Sequence, residues 1–135
     1  MKLFLDCEWN GYEGNLISMA LVSEDGREWY EVAQDYTTDS WVKTNVIPIL
    51  GKEPVGYAKL QRSLYLFLEQ FESIHVVADW PEDISHFCKA LIMRAGERMN
   101  TPPLTMEVIR VDSISDLPHN ALADARGIKR SIHGS

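Results

Sequence analysis

Residues 3–9 read Leu3-Phe4-Leu5-Asp6-Cys7-Glu8-Trp9, an apolar run of the kind that forms a buried strand, broken by two carboxylates. Side chains two apart on a strand share a face, so Asp6 and Glu8 project together. Taking two charges out of water in such a strand is costly unless something cationic meets them. The stretch is therefore the first candidate for a cation site.

Outward from this strand, over residues 2–8, the polar link Asn10-Gly11-Tyr12-Glu13-Gly14 leads to a second apolar run at residues 16–22. Asp25-Gly26 is a hairpin signal, because glycine accepts the positive φ of a tight two-residue turn. Glu28-Trp29-Tyr30-Glu31-Val32 then completes an antiparallel meander. Ser40 and Pro48 bracket a short helical piece over residues 40–47. From Tyr57 onward Leu60, Leu64, Phe67, Leu68 and Phe71 recur at helical spacing. Ile74-His75-Val76-Val77-Ala78 is a short buried strand, and Ile84, Phe87, Cys88, Leu91 and Ile92 form a second helical stripe ending near Gly96. A fifth strand is predicted over residues 106–111 and a last helix from Asn120 to about Ile132. Strands that alternate with helices imply parallel crossovers. The expectation is an α/β fold with a mixed five-stranded sheet, antiparallel through strands one to three and parallel in strands four and five, flanked by helices.

The chain of 135 residues is expected to be a single domain over its whole length, large enough to bury a real core. Its 45% hydrophobic and 24% charged content is that of a globular protein, and no apolar run approaches the ~18 residues of a membrane span. The N-terminal residues hold no signal-peptide core, so the expected compartment is the cytoplasm. Cys7 and Cys88 read as reduced thiols rather than a disulfide or a zinc site. A net charge of −7 argues against a protein that coats long nucleic acid with a basic surface. It leaves a nuclease open, since an acidic metal cluster itself adds negative charge that bound cations reverse locally.

Three further acidic or basic positions complete a pattern: Asp83 at the start of the second long helix, and His119 and Asp124 in His119-Asn120-Ala121-Leu122-Ala123-Asp124-Ala125. With Asp6-Cys7-Glu8 these resemble, in order and on matching elements, the three motifs of the DnaQ-like exonucleases with the DEDDh signature, which have the ribonuclease H-like fold. The resemblance covers essentially the whole chain, and the third motif is its most specific part. It implies that Asp6, Glu8, Asp83 and Asp124 hold two divalent metal ions, Mg²⁺ or Mn²⁺, with Asp6 bridging them and His119 acting as general base. Convergent oxygen donors suit such hard cations, and an imidazole with a pKa of about 6.5 can take a proton near neutral pH. In the second motif the chain departs from the family. Asp79-Trp80-Pro81-Glu82-Asp83 stands where members often carry Asn-x-x-Phe-Asp, so Asp79 is a rival ligand to Asp83.

Other residues have plain alternatives. Asp83 and Asp124 could each serve only as first-turn acids of a helix, and His119 as an ordinary loop histidine. Trp9 is a candidate to stack on a terminal base, or a core residue. Arg126, with Lys129 and Arg130, is a candidate phosphate contact, or part of a solvated helix face. His75, His86 and His133 match no motif. The resemblance is closest to short bacterial 3′-exoribonucleases and implies a 3′–5′ exonuclease that releases nucleoside 5′-monophosphates from single-stranded RNA or short oligonucleotide 3′ ends. A DNA exonuclease is the alternative within the same chemistry. A catalytically retired domain that binds nucleic acid or protein is the alternative outside it. Related small exonucleases are commonly homodimers, and Trp29, Tyr30, Tyr36 and Trp41 could cover an interface or pack in the core.

Overall fold

The computed structural model describes residues 1–12, 14–33, 51–110 and 117–133. The predicted helical piece over residues 40–47, together with Tyr36 and Trp41, lies outside the described residues. The chain opens with β1 (Lys2–Trp9), β2 (Leu16–Ser23) and β3 (Glu28–Val32), followed by α1 (Tyr57–Leu68), β4 (Ile74–Ala78) and α2 (Pro81–Ala90). A small hairpin, β5 (Ile92–Arg94) and β6 (Glu97–Arg98), precedes β7 (Leu104–Val108) and α3 (Ala121–His133). Among the described residues no helix is long and apolar enough to cross a membrane.

The main sheet has five strands in the order β3-β2-β1-β4-β7. β1 is central: it pairs antiparallel with β2 and parallel with β4, which in turn pairs parallel with β7. This is the mixed α/β sheet expected from the sequence, in a ribonuclease H-like arrangement. The alternation of β1 sorts its side chains between two layers. Leu3, Leu5 and Cys7 join Leu60, Leu64, Leu68 and Phe87 in the core beneath α1 and α2. Phe4 packs with Val77 and Ile128 under α3. Ala20 and Val22 of β2 meet Ala121 and Ala125 of α3, and these small side chains let the helix lie close to the sheet beside β1, the strand that carries Asp6 and Glu8.

Several local expectations are corrected. The β2–β3 reversal takes four residues, with Ser23 N donating to Arg27 O at 2.8 Å and Gly26 at φ +94°. The second long helix stops at Ala90 instead of running toward Gly96. Gln61 Nε2 of α1 donates to the carbonyls of Ala90 and Ile92 at 3.1 and 3.0 Å, taking up acceptors that a further helical turn would have used. Gly96, at φ +74°, turns the hairpin that follows. The last strand begins at Leu104, directly after Pro102-Pro103, because its register is set by β4 from Ile74↔Leu104 to Ala78↔Val108. Trp29 lies in the core and donates to Ser63 Oγ at 2.7 Å, and Tyr30 packs beneath α3.

Candidate active site

Asp6 and Glu8 occupy the C-terminal half of the central strand and face α3. The register of β1 and β2 slips by one between Glu8 and Trp9, and such a bulge re-aims the side chains beside it. Carboxylates from two further elements arrive at the same place. Asp83, only 1% exposed, comes from the first turn of α2, and Asp124 comes from the first turn of α3. Asp79 follows the last residue of β4. Potential ligand atoms of Asp6, Glu8 and Asp124 lie within 4.8 Å of one another, and so do those of Asp6, Asp79 and Asp83. The structure thus brings together all four acidic residues singled out in the sequence, adds Asp79 alongside Asp83 rather than in its place, and makes Asp6 common to both groups.

The electrostatics of this cluster are unfavourable. Burial, then the charges of Asp83, Glu8, Asp124 and Asp79, raise the Asp6 carboxyl well above the usual carboxylate range. Burial together with the hydrogen bond and charge of Asp124 pushes Glu8 up to about 9. Burial is also the largest influence on Asp83, which is pushed up to about 8 although the Cys7 amide donates to it. Asp79 is raised as well, by burial and by Asp124. Asp6 Oδ2 is buried with no hydrogen-bond partner. An all-oxygen donor set with mutually repelling, partly desolvated carboxylates fits hard divalent cations, whose charge would offset both penalties.

His119 stands at the entrance to α3. Asn120 caps this helix, its Oδ1 accepting from Ala123 N at 3.0 Å. Asp124 reaches back so that Oδ2 accepts from His119 N at 3.1 Å. His119 itself has φ +71°, the left-handed region that disfavours side chains other than glycine. Asp124 therefore links the backbone of His119 to the acidic cluster.

The rim of the site holds residues that motif matching passed over. His86, assigned no role from the sequence, is 5% exposed and stacks on Trp9 with ring centroids 5.3 Å apart. Trp9 is thus braced on one side and half-buried. Tyr12 and Trp80 are 88% and 58% exposed, positions where large aromatics have no packing reason to be. Between the β1–β2 link and α2 lies a cavity of about 560 Å³, lined by Tyr12, Gly14, Glu82, Ser85, His86 and Lys89. Gly14 is required there, since a Cβ would sit 1.7 Å from Asn10 O. Arg126 is engaged elsewhere: Nε and Nη2 bind Glu28 Oε2 and Oε1 at 2.5 and 2.7 Å, tying α3 to β3.

No family model matches the chain. Two 3′-5′ exoribonucleases of Mycobacterium tuberculosis, one from strain CDC 1551 and one from strain H37Rv, are each 36% identical to it, over 93% of this chain and 88% of their own length.

Proposed function

The chain belongs to the family of these mycobacterial 3′-5′ exoribonucleases, and we propose that it hydrolyses single-stranded RNA from the 3′ end to nucleoside 5′-monophosphates with two divalent ions, Mg²⁺ or Mn²⁺. The observation that carries the reading is the sharing of Asp6 between two carboxylate groups that converge from β1, α2, α3 and the end of β4. On this reading Asp6, Glu8 and Asp124 would hold one ion, and Asp6, Asp83 and Asp79 the other. When bound, such ions stabilise the charge on the attacking and leaving oxygens of an in-line displacement at phosphorus.

The rest of the work falls to the protein. His119 takes a proton from the attacking water as the new P–O bond forms and the bond to the 3′ oxygen of the preceding nucleotide breaks. That oxygen leaves as the new 3′-hydroxyl after taking a proton from solvent. Asp124 holds the backbone amide of His119 and so fixes the base relative to the cluster. Trp9, backed by His86, offers a face for the terminal base, and the exposed rings of Tyr12 and Trp80 suit unpaired bases of any sequence. The preference for RNA follows the names of the relatives.

The test uses 5′-labelled RNA and DNA single strands of one sequence with Mn²⁺ or Mg²⁺, plus RNA carrying a 3′-phosphate. Shortening of RNA from its 3′ end, release of 5′-monophosphates and blockage by the 3′-phosphate are expected. Faster loss of DNA would make the protein a DNA exonuclease, and ion binding without product would make it a binding domain. The cytoplasmic setting and homodimer expected from the sequence join this proposal. Sedimentation showing only monomer at micromolar concentration removes the dimer.

A further inference from the structure

One buried polar group next to the acidic cluster has no part in the scheme above. Ser18 lies within Leu16-Ile17-Ser18-Met19-Ala20-Leu21-Val22, every residue of which is buried in β2. Its exposure is 0%, and Oγ has no partner at hydrogen-bonding geometry. A hydroxyl in such a strand is neither solvated nor needed for packing, where alanine or valine would serve.

The sheet register shows what surrounds it. Ser18 is the cross-strand partner of Glu8, while Ala20, two residues on, is the partner of Asp6 on one side and Tyr30 on the other. Cross-strand partners project to the same face, and on this face Ala20 and Tyr30 pack under Ala121 and Ala125 of α3. Ser18 therefore lies between Glu8 on one side and Val32 on the other, with Tyr30 diagonal to it on β3 and the helix that carries Asp124 over the same face. The phenol of Tyr30 is near enough to respond to both the Ser18 hydroxyl and the Glu8 charge.

We propose that Ser18 and Tyr30 are positioning residues for Glu8: the Ser18 hydroxyl donates to the Glu8 carboxylate, and the Tyr30 phenol donates to Ser18 Oγ. A donor fixed by a second donor orients a metal-ligating carboxylate and strengthens its bond. Ser18 is fully buried and Tyr30 partly so beneath α3, and the pair acts on Glu8 from the sheet side. It leaves the outer lone pairs of the carboxylate to a cation. The inference rests on the proposed role of Glu8 as a ligand.

The test is Mn²⁺ titration of the full chain, read by the electron paramagnetic resonance signal of the free ion, alongside kcat and KM on a short RNA. Ser18→Ala should weaken Mn²⁺ binding by roughly 10-fold or more, as loss of such outer hydrogen bonds does, and lower kcat with KM unchanged. Ser18→Thr, which keeps the hydroxyl, should restore both. Tyr30→Phe should give a smaller loss in the same direction, and the double variant should be no worse than Ser18→Ala. A Ser18→Ala protein with the parent's Mn²⁺ isotherm and kcat overturns the proposal, and so does a loss that Ser18→Thr fails to rescue. If Ser18→Ala does not fold, Tyr30→Phe decides: parental Mn²⁺ affinity there is equally fatal. Absence of Mn²⁺ binding in the parent itself removes the metal reading, and this inference with it.

Discussion

The backbone amide of Cys7 donates to Asp83 Oδ1 at 3.0 Å, joining residues 76 positions apart. The bond pins the N-terminus of α2 to the central strand between Asp6 and Glu8. It commits one oxygen of the Asp83 carboxylate to the fold, while the carboxylate as a whole stays within reach of Asp6 and Asp79. Asp83 is therefore both a strut and a candidate ligand, whereas Asp79, half-buried after β4, has no comparable structural bond among those described.

This dual role separates three variants. Asp83→Asn keeps an acceptor for the Cys7 amide and removes a raised, repelled charge, so without metal it should melt at or above the parent. Asp83→Ala strands the amide and should lose about 1–3 kcal/mol. Both should forfeit most of the Mn²⁺-induced rise in melting temperature, which in the parent reflects about 2.7 kcal/mol of added stability at one hundred times the dissociation constant. Asp79→Asn should cost a smaller part of that rise and leave the metal-free protein unchanged or slightly stabilised. Thermal melts of the four proteins with and without Mn²⁺ decide; a full loss in Asp79→Asn and none in Asp83→Asn would reverse the two assignments.

The pH dependence of the metal-free protein follows from the same repulsion. Glu8 and Asp83, raised to about 9 and about 8 by burial and neighbouring charge, bind protons in the folded state that the unfolded chain has already released above about pH 4. Raised carboxyls contribute stability below their unfolded pKa that is lost as pH climbs through the folded values. Metal-free melting temperature should thus fall steadily from about pH 5 to pH 9, with Glu8→Gln flattening the slope. Saturating Mn²⁺ should flatten it too, because the ions take over the role of the protons. A melting temperature that rises over this range would mean that the carboxylates are paired by something else.

His119→Ala should cut the rate by about 10²–10⁴-fold, the usual weight of a general base, while keeping the Mn²⁺-induced thermal shift. The positive φ of His119 costs the native residue about 1–3 kcal/mol, so His119→Gly should be at least as stable as His119→Ala and equally inactive. Stability and activity therefore separate at this position. Near-parental single-turnover rates across pH 6–9 in either variant would show that another group takes the proton.

Much of this fold was legible because its signals are periodic. The apolar run around Asp6, the helical stripe from Leu60 to Phe71 and the short run from Ile74 to Ala78 each give an element that the structure contains. The convergence of Asp6, Glu8, Asp83 and Asp124 follows from strand alternation and from the first turns of two helices, although their role as ligands is a proposal. What escaped has a common physical character. The β5–β6 hairpin is too short and exposed to show a period, and Leu91 and Ile92 extend the stripe of α2 past its real end. Ser18 reads as noise in an apolar strand until the register sets it against Glu8. Pairings such as Arg126 with Glu28, 98 residues apart, and Trp9 with His86 arise only when layers close, and no local pattern announces them.

These last two pairings set apart a residue that meets substrate from one that holds the fold. Trp9 sits directly after Glu8, stacked on His86 and packed in part against the main core, and is left half-buried, so part of its ring stays accessible. Base stacking on an aromatic contributes on the order of 1–3 kcal/mol per base. Trp9→Ala should therefore raise KM for short RNA by about that free energy, and Trp9→Phe should recover part of it. His86→Ala, which withdraws the brace, should act in the same direction more weakly. Arg126 is spent on a half-exposed ion pair with Glu28, of a kind that contributes about 1 kcal/mol or less. Arg126→Ala should lower the melting temperature slightly, in step with Glu28→Gln, and leave KM where it was. Steady-state kinetics and melts on these five variants make the comparison direct. A KM that climbs in Arg126→Ala but not in Glu28→Gln would mean that the guanidinium leaves Glu28 for a substrate phosphate.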